Sequence, residues 1–282
     1  MKRVLLPTDF SSNAHNAIVY ALELYKHVPC TFYLVHTYGI PIYGMEYNMI
    51  DPYEMDFLDH YQKEKKERLN ALREELKASH ANPMHKFIVH TAFNTLEDEV
   101  RQLVAKKGVQ MIVMGTKGAT GANKVWFGSN TVHVIKKSTC PVLAIPENFH
   151  YEKPKEILFP TDYEADYKEE VLGELLFLAE NNIGCINVLH VSTGYDLNDA
   201  QVNNKVILEK LLEPHSHIFH EVSTNEVIKG INDFQLKTKI NLLAMVRNKH
   251  SFLESLFIKP LVRKIALHLE IPFMVMPQVP KN

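Results

Sequence analysis

Short apolar runs recur along the chain in two sets, in the same order. Lys2-Arg3-Val4-Leu5-Leu6-Pro7-Thr8-Asp9 returns as Lys155-Glu156-Ile157-Leu158-Phe159-Pro160-Thr161-Asp162. Residues 32–36 return as 186–190, 85–90 as 215–220, 111–114 as 242–245, and 141–146 as 272–277. Each run is rich in Val, Ile, Leu or Phe and is bounded by turn residues. Such runs suit strands buried on both faces, as in a parallel sheet. Five matches in one order point to an internal duplication.

Helical periodicity fills the gaps. After Asp9, either Ser11 or Ser12 can cap a helix, and Ala14, Ala17, Ile18, Ala21, Leu22 and Tyr25 then share one face. Tyr167, Val171, Leu175, Leu178 and Ala179 form the matching face of the second repeat. Asn94 and Asn225 stand at equivalent places and are the expected caps of the next helix in each half. Strand-helix alternation implies right-handed crossovers and an α/β, doubly wound sheet in each half. The polar stretch from Glu147 to Pro154 divides the chain into expected domains 1–147 and 154–280. The repeats differ most between their second and third strands: His36 to His85 spans 49 positions, and His190 to His215 spans 25. The extra residues hold a Tyr-, Met- and Gly-rich stretch (Tyr38 to Tyr53) and a charged helix from about Glu54 to Lys77, with Leu58, Tyr61, Leu69, Leu72 and Leu76 facing inward. Met45, Met49 and Met55 suit either a partner surface or a lid.

Chemistry concentrates after the fourth run. Met114-Gly115-Thr116-Lys117-Gly118 is followed, after nine intervening residues, by Gly128-Ser129-Asn130-Thr131 and a helical pattern. Glycines at 115 and 118 allow a tight turn and a close approach to a ligand. Gly128 and the amides after it open a helix, where unpaired N–H groups and the helix dipole favour an anion. Ser129 and Thr131 add hydroxyls. Asp9 follows the first strand, and in a doubly wound sheet that places it at the same crevice, able to hold a ribose hydroxyl or a Mg²⁺ bridging phosphates.

This spacing, G-x2-G-x9-G-S, resembles the ATP-binding signature of the universal stress protein family. The opening Val4-Leu5-Leu6-Pro7-Thr8-Asp9, the run Leu34-Val35-His36 and the closing Cys140-Pro141-Val142-Leu143-Ala144-Ile145-Pro146 are also similar to that family's first, second and last strands. The resemblance implies two tandem Rossmann-like, adenine nucleotide alpha hydrolase-like domains. Each would have a five-stranded parallel sheet of order 3-2-1-4-5, and the two would pack as a pseudo-dimer. It implies ATP or another adenine nucleotide, with Mg²⁺, held by Pro7, Thr8, Asp9, Val35, His36, Thr37, Met114, Gly115, Gly118, Gly128, Ser129, Asn130 and Thr131. It also implies antiparallel pairing of Val142–Ile145 with Phe273–Met276 inside one chain.

The second repeat departs from the signature at every glycine. Aligned on Met114 and Met245, Gly115 becomes Val246 and Gly118 becomes Lys249; Gly128 becomes Lys259 and Ser129 becomes Pro260. A β-branched valine resists positive φ, and proline has no N–H to donate. No family-type ATP site is expected there. Arg247, Lys249 and Lys259 read as a solvated cluster before they read as an anion site.

The rest narrows the classes. A formal charge of −2 gives no sign of nucleic-acid or membrane-surface binding. Three cysteines without a CxxC pair do not resemble a disulfide framework. The apolar run at the N-terminus is too short for a signal peptide, which makes the cytoplasm the expected compartment. Among His215, His217 and His220 only the first two share a strand face, so no protein-held metal is expected. His36 and His190 read as partly buried, hydrogen-bonded residues rather than bases. Trp126 and Phe127 read as loop anchors. No general base is recognisable, so a catalytic role is not expected. Three classes remain open: a nucleotide-binding regulatory or stress-response protein with an unknown protein partner, a slow ATPase or nucleotide-transfer enzyme, and an interaction module without nucleotide. Further pairing of whole chains is not readable.

Overall fold

A computed structural model describes residues 1–39, 52–117, 128–247 and 270–278, and the side chains within these outside 52–59. The first half runs β1 (Lys2–Pro7), α1 (Ser12–Leu24), β2 (Cys30–Tyr38), α2 (Pro52–Ser79), β3 (His85–Phe93), α3 (Leu96–Lys107), β4 (Met111–Gly115), α4 (Ser129–Lys137) and β5 (Val142–Ile145). The second runs β6 (Glu156–Pro160), α5 (Glu169–Asn182), β7 (Cys185–Ser192), α6 (Asp199–Leu212), β8 (His217–Ser223), α7 (Val227–Thr238), β9 (Leu242–Arg247) and β10 (Phe273–Pro277). Every duplicated apolar run forms a strand.

The ten strands make one sheet in the order β3-β2-β1-β4-β5-β10-β9-β6-β7-β8. Each half has the order 3-2-1-4-5 with parallel neighbours. The halves join where β5 meets β10 antiparallel, with Ala144 opposite Phe273, Leu143 opposite Met274 and Val142 opposite Val275. Pairing these edges satisfies backbone groups that an open edge would expose. It also sets the two carboxyl ends pointing opposite ways.

Helices cover both faces, which is why the strands are apolar throughout. One core packs α1, α2, α5 and α6 on the sheet through residues such as Ile18, Leu69, Leu175 and Leu208. The other packs α3, α4 and α7 through Val100, Ile135 and Ile231. The α1 face is buried along its whole predicted length, from Ala14 to Tyr25. The charged helix α2 buries Leu69, Leu72 and Leu76, as its stripe predicts; Leu58 and the stretch around Met45, Met49 and Met55 lie outside the described side chains.

The caps partly differ from expectation. Ser11 caps α1, its side chain accepting from Ala14 N at 3.2 Å. Asn94 does not cap α3; Thr95 does, accepting from Asp98 N at 3.3 Å, while Asn94 Oδ1 accepts from Thr95 N. A threonine one residue on leaves three acidic residues in the first turn, where the dipole favours them. Asn225 does not cap α7 either: Glu226 takes that place without a side-chain bond.

The segment between the halves is pinned. Asn16 Nδ2 donates to Pro146 O and Phe149 O, and Tyr20 packs against the rings of Phe149 and Tyr151. Across the seam Lys2 pairs with Glu174, its ammonium lying 3.8 Å from the Phe177 ring centre.

Candidate functional site

The parallel order places the carboxyl ends of β1 and β4 side by side, with Val4 opposite Met111. This is the point where strand order reverses, the usual crevice of such sheets. Three connections meet there.

The first follows β1. Pro7 is buried and pairs with Val35. Thr8 donates its N–H to Val35 O at 2.8 Å, and its hydroxyl accepts from Phe10 N at 3.0 Å. Asp9 is exposed, and its Oδ1 accepts from Ser11 N at 3.0 Å. This turn aims the carboxylate outward beside the start of α1. Phe10 closes the turn with φ of 63°, a conformation costly for a bulky residue. Packing holds it: its ring lies 4.7 Å from the His36 ring, and Arg68 of α2 lies 4.2 Å over its face.

The second connection follows β2. His36 Nδ1 donates to Thr8 O at 2.8 Å, since a carbonyl can only accept. Its ring sits between Phe10 and Tyr38. Burial is the largest influence on its pKa, which is lowered; Lys65 and Arg68 push the same way, and the Thr8 bond and Asp9 oppose them. Val35 is buried and Thr37 half-buried. His36 therefore fits the expected partly buried, hydrogen-bonded residue, with its Nδ1 engaged by Thr8 O.

The third is the strand-to-helix connection. Met114 is buried. Gly115 has a use the sequence did not reveal: a Cβ there would meet Asn13 Nδ2 at 2.7 Å and Cγ at 2.8 Å. Asn13, 3 % exposed, donates from Nδ2 to Lys117 O at 2.8 Å and so ties α1 to the start of the loop. Its Oδ1 is buried with no hydrogen-bond partner, the kind of group a water or a ligand donor satisfies. Thr116 donates to Ile145 O, and its carbonyl accepts from Gly128 N at 2.7 Å. Gly128 caps α4 without any side-chain bond. The first intrahelical donor is Val132 N, to Gly128 O. The amides of Ser129, Asn130 and Thr131 precede it, at the positive end of the helix. The Gly128 amide, by contrast, is spent on Thr116.

Thr131 departs from its expected role. The residue is 2 % exposed, and its hydroxyl donates to Gly115 O at 2.9 Å. It braces helix against strand, and only its amide remains for an anion. Ser129 and Asn130 are exposed. Gly118, Trp126 and Phe127 lie outside the described residues, as do Lys249, Lys259 and Pro260 of the second half. The described residues bring to this crevice helix-opening amides that precede the first intrahelical donor, the Asp9 carboxylate, and a glycine in close contact with α1.

The second half repeats the first two connections. Thr161 N donates to Leu189 O, its hydroxyl accepts from Tyr163 N, and Asp162 Oδ1 accepts from Glu164 N. Tyr163 has φ of 58°, and His190 Nδ1 donates to Thr161 O at 3.0 Å. The third differs in its first residues, the only ones of it described before 270. Val246 is buried, and the half-buried Arg247 donates to Ile135 O and to Ser138 O of the first half. A cleft of about 360 Å³ does open on the α6 side, lined in part by Tyr163, His190, Lys205, Phe219 and Glu221. In the first half the aligned ring, Phe10, is instead covered by Arg68.

Comparison with known proteins agrees with this architecture. Over 157 residues the chain is 26% identical to universal stress protein MJ0531 of Methanocaldococcus jannaschii, covering 55% of this chain and 84% of that one. It is 24% identical to MJ0577 of the same organism, over 51% of this chain and 94% of that one. A crystal structure of a universal stress protein from Archaeoglobus fulgidus superposes with a TM-score of 0.67 at 16% identity, covering 99% of this chain and 97% of the other, so both halves share its fold. Among the described residues no helix is long and apolar enough to cross a membrane. The universal stress protein family model matches residues 1–146, more than half of the 282 residues, and the chain belongs to that family.

Proposed function

We propose that this chain is a cytoplasmic regulatory protein of the stress response that binds one adenine nucleotide, ATP with Mg²⁺, in the crevice of its first half. The domains carrying the two roles are 1–147, which binds, and 154–280, which does not. The observation that carries this reading is the run of amides at Ser129, Asn130 and Thr131, which open α4 ahead of its first intrahelical donor at the crevice that Asp9 borders. They would take the phosphate oxygens, and Asp9 stands where a ribose hydroxyl or a phosphate-bound Mg²⁺ would lie. The backbone at Val35 to Thr37 would line the base, with Phe10 and His36 behind it. Among the described residues of the crevice no general base is recognisable, and we read binding rather than turnover as the output: the nucleotide stabilises one arrangement of the first half for a protein partner to read.

The test is calorimetric titration of the full chain with ATP-Mg²⁺, with Ser129→Pro as control. Ser129 is the first residue of α4, where proline is well tolerated, and Gly128 has φ of −63° and ψ of 155°, the conformation that precedes proline. The substitution therefore removes one donor with little cost to the fold. We expect one ATP per chain, with affinity reduced roughly 10-fold or more in Ser129→Pro, as for a charge-assisted hydrogen bond. Two sites per chain, or no heat of binding with the intact chain, would overturn the reading.

A further inference from the structure

We propose that Arg247 is a positioning residue for the nucleotide site of the first half, an inference that rests on the reading above. At the place where its own phosphate loop would begin, the second half sends a guanidinium across the seam. It holds the far end of the helix whose near end receives phosphate.

Alignment by strand position shows the exchange of roles. Thr116 follows β4 and turns back into its own half, donating to Ile145 O and accepting from Gly128 N. Its counterpart Arg247 stays in β9, paired with Pro277 of β10. Its side chain leaves the half altogether. Nη1 donates to Ile135 O, and Nη2 donates to Ser138 O at 3.1 Å. Both acceptors belong to the end of α4, where the last turn of any helix leaves carbonyls without intrahelical partners. The C-cap Ser138 has φ of −64° and ψ of 142°, so no left-handed residue closes the end on itself. Arg247 does that work from the other half. Its planar fork suits two carbonyls at once, and its charge complements the negative end of the helix dipole.

The two ends of α4 then belong to two different partners. Nine residues make a rod of about 13 Å. That exceeds the roughly 8–10 Å Debye length at physiological salt, so direct attraction between guanidinium and phosphate is weak. The coupling is mechanical: a short helix held at its C-terminus presents its N-terminal amides in one pose. The bond of Thr131 to Gly115 O and the ion pair of Lys137 with Glu97 hold α4 from within the first half. Arg247 adds a hold that only the duplicated chain can supply. In sequence, the position that carries this tie aligns with Thr116, the second residue of the first half's glycine signature.

The test uses the full chain with Arg247→Met, which keeps the aliphatic stem, and Arg247→Lys, which keeps the charge but not the fork. Two readouts are needed. Hydrogen exchange of the unliganded chain reports the pose of α4 without any nucleotide. In Arg247→Met, exchange is expected to quicken along the whole helix, Val132 included. Acceleration confined to the residues around Ile135 and Ser138 would show a local cap and overturn the proposal. Titration with ATP-Mg²⁺ is the second readout. Arg247→Met should bind about 5-fold more weakly or worse, within the usual range of site-to-site coupling, and Arg247→Lys should recover part of the loss. Unchanged affinity in Arg247→Met would overturn the positioning role even if thermal stability fell. If the intact chain binds no ATP, the proposed function fails by itself, while exchange along α4 still decides whether Arg247 sets its pose.

Discussion

After β1 and after β6 the chain makes the same turn twice. Thr8 and Thr161 reach back to the second strand of their halves; Asp9 and Asp162 accept from the amide two residues on; Phe10 and Tyr163 take positive φ; His36 and His190 donate to the threonine carbonyl. At the ends of β4 and β9 the described residues differ. Gly115 and Thr116 lead toward a helix that Gly128 opens, while their counterparts are a buried valine and an arginine that bonds to the opposite half. The difference teaches that the turn after the first strand is kept in both halves, while the glycine signature is kept in the sequence of one. The frame is held by backbone bonds and ring packing, which fold stability alone maintains. Under the proposed function, the signature glycines serve a ligand, which packing alone does not require.

The largest effect is expected at the seam, where equivalent lysines have different fates. Lys2 and Lys155 open matching strands. Lys155 is exposed, while the Lys2 side chain is 17% exposed against a Glu174 side chain that is 10% exposed. Lys2→Met leaves the Glu174 carboxylate buried without its cation and should cost about 3–5 kcal/mol of unfolding free energy. Lys155→Met should change it by less than about 0.5 kcal/mol. The double variant Lys2→Met with Glu174→Leu should recover most of the loss, since an apolar pair often replaces a buried ion pair at little cost. Urea denaturation of the four chains checks all three statements. Equal effects of the two lysine substitutions would erase the distinction between seam and surface.

Next in size is the glycine that the halves do not share. Gly115→Val copies Val246 into the first half. Its Cβ would fall within 3.0 Å of three atoms of the Asn13 amide, and Asn13 cannot retreat without giving up Lys117 O. Overpacking of this kind costs about 1–3 kcal/mol. A lowered midpoint in thermal unfolding, together with faster proteolysis of the loop after Lys117, is the expected outcome. A neutral result would mean that Asn13 has a second place to go.

The elements that the sequence revealed are those written in local pattern. Strands came from apolar runs, the Ser11 cap from residue type, and the meeting of β5 with β10 from family resemblance. Contacts between distant residues left no such trace. The reach of Arg247 to Ile135 spans 112 positions, and a lone arginine after a strand reads the same whether it faces solvent or a helix end. The contact between Gly115 and Asn13 was hidden for the same reason, although the glycine itself was conspicuous. Positive φ at Phe10 and Tyr163 ran against local preference, and only the packing of His36 and His190 explains it. Thr131 was visible as a hydroxyl in the right loop; its rotamer, which spends that hydroxyl on Gly115 O, was not.

The smallest expected effect concerns pH. Burial is the first cause of the lowered pKa of His36, so the folded state favours the neutral ring more than the unfolded chain does, where the value is about 6.5. In the interval between the two values the unfolded state binds more protons, and stability rises with pH. The contribution is therefore complete above about pH 6.5 and is lost as the pH falls through the folded value. His85 and His220 are lowered for the same principal reason and add to the acid limb of the whole chain. His36→Asn separates them. The asparagine amide can keep a donor on Thr8 O but does not titrate, so the variant should show a shallower decline of denaturation midpoint on acidification than the parent. Should the two curves run parallel, the His36 ring takes up its proton in place, and its hold on Thr8 owes nothing to being neutral.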